Sequence, residues 1–195
     1  TQTPRDGAAS GSMELNLDGE NMSLLFDASP LYSMRQDGYV QASFYGQSGD
    51  RFYELYVIFP DSVRPGETFS SQSAAAGGDD ESGILLYATG SDGMVISIAT
   101  QSAEGAYPAG SSYLLTFSDV RQEGGALAVS GTLEASLTDV DAGFNPLSGV
   151  RALSASFSFT LSAGAPGEVP EAPSAPSAAP TAPATLITPA DAQKI

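Results

Sequence analysis

Two stretches in the C-terminal half of the chain alternate apolar and polar side chains without interruption. In residues 153–161, Leu, Ala and Phe occupy one parity, and Ser and Thr occupy the other. Residues 127–137 show the same period of two. Because successive side chains of a strand point to opposite faces, both stretches predict strands with one dry and one wet face. Half-buried strands of this kind are typical of antiparallel sheets.

The rest of the chain predicts further short strands between Gly, Pro and Asp turns. Asp18-Gly19 separates two alternating runs and predicts a tight hairpin, because Gly accepts positive φ. Residues 52–59 are apolar on both parities, which predicts a central strand covered on both faces. Residues 138–150 predict a connection too long for a tight hairpin. About nine or ten strands without a helical period predict an antiparallel β-sandwich, with a partly closed β-barrel as the alternative.

Composition divides the chain into three parts. Residues 1–12 are small and polar and predict a flexible leader, and residues 13–162 hold all the strand patterns. Residues 163–195 are rich in Pro and Ala, which favours a polyproline spacer without a packed core. We therefore expect one β-sandwich domain followed by a disordered tail.

The amino-acid composition excludes most catalytic chemistries. The chain has no Cys and no His, and its single lysine is Lys194, so it lacks the residues for a Ser-His-Asp triad, a thiolate or a P-loop. A formal charge of −16 repels phosphate backbones and anionic lipids, which argues against a nucleic-acid partner. No apolar run approaches the roughly 18 residues that span a bilayer, so we expect no membrane insertion.

One acidic loop is a candidate cation site. Asp139 and Asp141 alternate before Gly143, and Asn145 follows, so their oxygens could wrap a hard cation such as Ca²⁺. The spacing resembles the start of an EF-hand calcium loop, but Gly143 stands where a third acid belongs and no Glu closes the loop. Solvated turn acids are the other interpretation. Apart from this possible calcium ion, we expect no cofactor.

Tyrosines offer a second candidate site. Tyr39 and Tyr45 share a parity opposite Val40, Ala42 and Phe44, so we expect both to face solvent on one sheet. A tyrosine ring has an apolar face and a polar tip, which suits stacking on sugars. Cross-strand pairing is the structural alternative for such residues.

Paired carboxylates would permit a glycosidase without histidine. Acids within the predicted strands are few, and Glu54 lies in the most apolar strand, where Arg51 or Arg35 could neutralise it. A structural ion pair explains Glu54 at least as well as catalysis. We therefore expect no enzyme activity, with a carboxylate-only glycosidase as the alternative.

Three segments resemble uncharacterised secreted β-sandwich domains of bacteria. These segments are residues 106–113 (Ala-Tyr-Pro-Ala-Gly-Ser-Ser-Tyr), residues 129–135 (Val-Ser-Gly-Thr-Leu-Glu-Ala) and residues 152–161. In that family a turn with Gly and Tyr precedes a Val-x-Gly-Thr strand and a final amphipathic strand. The resemblance implies a β-sandwich and an extracellular or cell-surface location. It implies no activity, and no functional residue carries over.

Together these patterns predict a non-catalytic module of the bacterial cell surface, structural or protein-binding, presented on a proline-rich spacer. The alternative is a carbohydrate-binding module with a tyrosine face and a possible structural calcium ion, which two adjacent, solvent-facing tyrosines on a concave sheet would favour. A third hypothesis is self-association into a surface polymer through residues 185–188, the tail segment with strand character.

Overall fold

The computed structural model describes residues 10–71, 82–99 and 108–162. Strands make up 73% of the described residues, which contain no helix. Within these ranges no helix is therefore long and apolar enough to cross a membrane. The predicted tail, including residues 185–188, and residues 1–9 of the predicted leader lie outside the described residues. Residues 11 and 12 of that leader already belong to the first strand.

The described part of the chain contains eleven strands. They are β1 (Gly11–Leu17), β2 (Glu20–Asp27), β3 (Met34–Gln36), β4 (Tyr39–Ser48), β5 (Arg51–Pro60), β6 (Thr68–Ser70), β7 (Gly83–Gly90), β8 (Gly93–Ala99), β9 (Ser112–Glu123), β10 (Ala126–Val140) and β11 (Pro146–Leu161). The short strands β3 and β6 were not anticipated, because three residues are too few to show a period.

All these strands belong to one antiparallel sheet whose pairing runs in a ring. The order is β11-β1-β2-β4-β5-β7-β8-β10, and β10 then pairs with β11 again. Along its other edge β10 pairs first with β9 and then, near its end, with β8. The strands β3 and β6 add to β4 and β9. The predicted antiparallel all-β architecture is confirmed.

The Asp18-Gly19 hairpin forms as predicted between β1 and β2. Both turn residues have positive φ, 52° at Asp18 and 93° at Gly19, which matches the right-handed twist of paired strands. The Asp18 carboxylate also accepts a hydrogen bond from the Ala152 amide at 2.8 Å, so the turn is tied to β11.

The inner side of the ring is filled by apolar side chains from opposite strands. Phe59 of β5 packs on Phe117 of β9, and Phe26 of β2 packs on Phe159 of β11, each with ring centroids 4.8 Å apart. Phe44 of β4 also meets Phe159 edge to face, at 5.6 Å. These rings supply large buried apolar areas, and burial of that area is the main stabilising term for a chain without disulfides.

The connection between β10 and β11 is shorter than predicted. The two strands form one long hairpin, in which β10 extends to Val140 and β11 begins at Pro146. A register shift between Thr138 and Val140 marks a bulge. The prediction of a long loop was wrong because a bulge interrupts the alternation on which it rested.

The two sides of the outer surface differ in composition. On β1, β10 and β11 the outward residues are polar, mostly Ser and Thr; for example, Ser130 Oγ donates to Ser158 Oγ at 3.0 Å. On β5 and β7 the outward residues are mainly aromatic and aliphatic.

The expectation that both faces of β5 are covered was wrong. Its outward residues Phe52, Glu54, Tyr56 and Ile58 are only half-buried.

Candidate functional site: an aromatic face on β5 and β7

A shallow cleft of about 480 Å³ lies on the outer surface of strands β4, β5, β7 and β8. We call its lining the aromatic face. It consists of Gln41, Glu54, Tyr56, Ile58, Leu85, Tyr87, Thr89 and Met94. Most of these side chains are half-buried, and Met94 is 57% exposed. This face carries a single charged group, Glu54.

Strand register brings the central residues of the aromatic face together. Glu54 of β5 lies opposite Tyr87 of β7, and Tyr56 lies opposite Leu85. Directly opposed residues of antiparallel strands have Cβ atoms about 5 Å apart, so their side chains share the same surface. Tyr56 and Tyr87 are therefore diagonal neighbours across the β5–β7 pair.

The two tyrosine rings meet edge to face. Their centroids are 6.0 Å apart and their planes form an angle of 84°. In this edge-to-face arrangement the positive edge of one ring meets the negative face of the other, which is electrostatically favourable. One ring can therefore offer its flat face to a ligand while the other supports it from the side.

Hydrogen-bonding groups lie beside the rings of Tyr56 and Tyr87. The Tyr56 hydroxyl donates a hydrogen bond to Glu54 Oε1 at 2.8 Å. Burial, and then this contact with Glu54, raise the pKa of Tyr56 above its ordinary value of 10.0. Within the described residues, Glu54 Oε2 and the Tyr87 hydroxyl make no hydrogen bond, so both can serve a ligand. The Gln41 amide nitrogen donates to the Tyr32 carbonyl at 3.0 Å.

The structure separates the two tyrosines that the sequence suggests as a pair. Tyr39 is partly exposed, at the start of β4. Tyr45 is 4% exposed, so the expectation that it faces solvent was wrong. Its ring packs beside Phe52 at 6.4 Å, and Leu25 and Glu54 lie opposite it on the neighbouring strands. Ligand binding through this pair stays untested, but the exposed tyrosine pair of the described surface is Tyr56 and Tyr87.

Asp139 is occupied by protein contacts rather than held in an open loop. Its carboxylate accepts hydrogen bonds from Arg151 Nε at 2.9 Å and Arg151 Nη2 at 3.2 Å. Ser97 Oγ donates to it as well, at 2.5 Å. Asp139 therefore lies in an ion pair between β10 and β11.

Asp141 and Asn145 do come together, as a turn. Asp141 Oδ1 accepts hydrogen bonds from the amides of Gly143 at 2.8 Å and Asn145 at 2.9 Å, and the Asn145 side chain donates to both carboxylate oxygens. These contacts with Asn145 lower the pKa of Asp141. The described residues contain no group of three or more acids able to hold a metal ion. The calcium prediction stays untested, but its three residues do not form one ligand set.

The expected ion pair of Glu54 was also wrong. Arg51 pairs with Asp92, and Arg35 pairs with Asp61 at 3.1 Å, whereas Glu54 is held by Tyr56. Glu54 is the single acid of the aromatic face, so this cleft does not present the two facing carboxylates that a glycosidase needs.

Comparison with protein-family models, with curated proteins and with solved structures gives no match for this chain. The resemblance to secreted bacterial β-sandwich domains therefore stays a prediction.

Proposed function

We propose that this chain is a non-catalytic carbohydrate-binding module and that the aromatic face is its site. The observation that carries the proposal is the juxtaposition of Tyr56 and Tyr87, half-exposed neighbours with ring centroids 6.0 Å apart, beside the Glu54 carboxylate. A pair of adjacent tyrosines was the feature expected to favour a carbohydrate-binding module, but on a concave sheet, whereas this pair lies on the outer surface of the ring.

The chemistry of the face matches the two sides of a sugar ring. Aromatic faces pack against the apolar C–H surface of a sugar, while polar groups at the rim select its hydroxyls. Here Glu54 Oε2 can accept a hydrogen bond from a sugar hydroxyl, and the Tyr87 and Thr89 hydroxyls can donate or accept hydrogen bonds. The hydrogen bond from Tyr56 to Oε1 fixes the Glu54 carboxylate before a ligand arrives, which lowers the ordering cost of binding.

The proposal keeps the location expected from the sequence, outside the cell or at its surface. Support comes from the net charge of −16, which favours solubility, and from the Pro/Ala-rich composition of residues 163–195, which suits a spacer. Secretion of the full-length gene product into the medium or onto the surface, measured by fractionation, tests this part.

A second candidate function is protein binding through the same face. It is favoured by the aliphatic members Ile58 and Leu85 and by Met94, which is 57% exposed. Exposed apolar residues gathered in one patch are typical of protein interaction sites. A sugar and a protein would depend on different residues of this face. A protein partner would need the apolar side chains of Ile58, Leu85 and Met94, whereas a sugar would need the Glu54 carboxylate.

Titration calorimetry against a panel of soluble polysaccharides tests the primary proposal. We expect binding by the native chain and about a tenfold loss of affinity in Tyr87→Ala, the cost of about 1.4 kcal/mol of ring contact. Glu54→Gln keeps the shape and removes the charge, so it should weaken binding without changing the melting temperature. The matched control is Phe144→Ala, which removes an aromatic ring 52% exposed outside the face.

Equal losses in Tyr87→Ala and Phe144→Ala would contradict the proposed site. Absence of binding across the whole panel would overturn the carbohydrate proposal and leave protein binding as the function to test.

A further inference from the structure

A second cleft, separate from the aromatic face, lies at one end of the ring. It measures about 800 Å³, within the range of small-molecule sites. We call it the end cleft. Its lining comes from the β1–β2 turn, the β4–β5 turn and the start of β11, and comprises Leu17, Asp18, Glu20, Asn21, Ser48, Gly49, Asp50, Arg51, Tyr53 and Arg151.

Both arginines of the end cleft are already neutralised. Arg151 pairs with Asp139 at 2.9 Å and with Asp18 at 3.5 Å. Arg51 pairs with Asp92 on the β7–β8 turn. The side chains of Arg51 and Arg151 are 29% and 26% exposed, and each has a carboxylate partner. The end cleft is therefore poorly suited to an anion.

Two acids of the end cleft have no ion-pair partner among the described residues. Glu20 makes none, and Asp50 receives a long contact of 3.4 Å from Ser91 Oγ. Including Asp92 and Asp139, five carboxylates surround two guanidinium groups, which gives this end of the ring a net charge of −3. The local potential therefore favours a positively charged ligand.

Tyr53 provides an independent sign of a ligand. It lines the end cleft, it is 6% exposed, and its hydroxyl makes no hydrogen bond within the described part of the chain. Within the described residues, the fully buried side-chain polar atom without a partner is Ser43 Oγ, so the hydroxyl of Tyr53 is not sealed in the core but opens into the end cleft that the residue lines. A phenol that is otherwise buried, with a hydroxyl that opens into the cleft and has no protein partner, can give its hydrogen-bonding capacity to a ligand.

We propose that the end cleft binds an organic cation of the aliphatic amine class, with one or more primary ammonium groups. An ammonium group has three donors and no acceptor, which matches the carboxylates of Glu20 and Asp50 and the phenol oxygen of Tyr53.

Titration calorimetry of the full chain with spermidine at low ionic strength tests this assignment. We expect binding to the native chain and a loss of about fivefold in Asp50→Asn, in line with one exposed charge pair. Glu20→Gln is a second variant with the same change of charge. The matched control is Asp119→Asn, whose carboxylate pairs with Arg121 on β9, outside the end cleft. It should change the affinity by less than about twofold, since distant charges are screened.

Tyr53→Phe removes only the hydroxyl and separates a ligand role from a structural one. We expect spermidine affinity to fall about threefold to tenfold, the effect of one hydrogen bond, with a melting temperature that stays the same or rises. A fall in melting temperature would show a structural partner for the hydroxyl and overturn its assignment as a ligand group. Absence of spermidine binding, or equal losses in Asp50→Asn and Asp119→Asn, would overturn the site.

Discussion

Arg151 and Asp139 form a two-point ion pair between the last two strands. Nε of Arg151 donates to Oδ1 of Asp139 at 2.9 Å, and Nη2 donates to Oδ2 at 3.2 Å. The side chains are 26% and 14% exposed, so the pair is shielded from water on most sides. Asp139 lies at the bulge of β10, where the regular ladder is interrupted. The pair therefore adds a charged side-chain link between β10 and β11 at the bulge.

Replacing Asp139 should destabilise the fold. Asp139→Ala leaves Arg151 largely buried with only the longer contact to Asp18, at 3.5 Å. We expect a loss of about 2 kcal/mol in the free energy of unfolding, since charged hydrogen bonds of this kind contribute about that much. Urea unfolding measures it. The control Asp119→Ala breaks the more exposed pair with Arg121 and should cost less than about 1 kcal/mol. Similar losses in both variants would contradict a special role for Asp139.

Calcium should not stabilise this protein through the β10–β11 loop. Asp139 is bound to Arg151, and Asp141 already accepts hydrogen bonds from Gly143 and Asn145. A cation would have to displace these donors, so we expect the melting temperature to be the same with Ca²⁺ and with a chelator. A ligand that binds only the native state must raise that temperature. A calcium-dependent rise in melting temperature that disappears in Asp141→Asn would contradict this prediction and would show that calcium binds at this loop.

Gly131 allows close packing at a second bulge, between β9 and β10. A Cβ at this position would lie 2.8 Å from Phe157 Cζ and would collide with the Thr116 carbonyl oxygen of β9. Because backbone cannot yield as a side chain can, Gly131→Ala should lower the unfolding free energy by about 1–3 kcal/mol. The adjacent Thr132→Ala, on the exposed side of β10, serves as the control. Equal stability of both variants would show that the sheet relaxes freely here.

The strands with strict alternation were predictable from the sequence, and those without it were not. Residues 127–137 form most of β10 and residues 153–161 form the C-terminal half of β11, and both alternate because each strand has one buried and one exposed side. The length of their hairpin was missed, since Pro146 and the bulge at Thr138 hide the continuation. An alternation of apolar and polar residues does not show where a bulge or a proline interrupts a strand that continues beyond it.

The candidate site was predictable in kind but not in position. Tyr39 and Tyr45 lie on a strand with a clear parity, but solvent exposure depends on neighbouring strands, and Tyr45 is covered by them. Tyr56 was hidden because β5 is apolar on both parities. The overlooked signal was Glu54, since a charged residue two positions from Tyr56 marks the side of the strand that reaches water.

The turn at Asp141 should respond to acid. Hydrogen bonds from the Asn145 backbone and side chain hold the pKa of Asp141 below its ordinary value of 3.8. A lowered pKa means that this contribution is present above pH 3.8 and is lost as the pH falls through the folded value. NMR amide shifts of Gly143 and Asn145 should therefore move together only below pH 3.8. In Asp141→Asn that acid transition should be absent, and its persistence would assign it to another group.

The aromatic face should respond to alkali through Tyr56. Burial and the hydrogen bond to Glu54 raise the pKa of Tyr56 above 10.0, because both disfavour the phenolate. A raised pKa means that the stabilisation is full below pH 10.0 and is lost as the pH rises through the folded value. Urea unfolding on either side of pH 10.0 should show this loss in the native chain and a smaller loss in Tyr56→Phe. An equal loss in both proteins would place the alkaline sensitivity elsewhere.

In Glu54→Gln the pKa of Tyr56 should move back toward 10.0, since the carboxylate charge is gone, and tyrosinate absorbance can follow that shift directly.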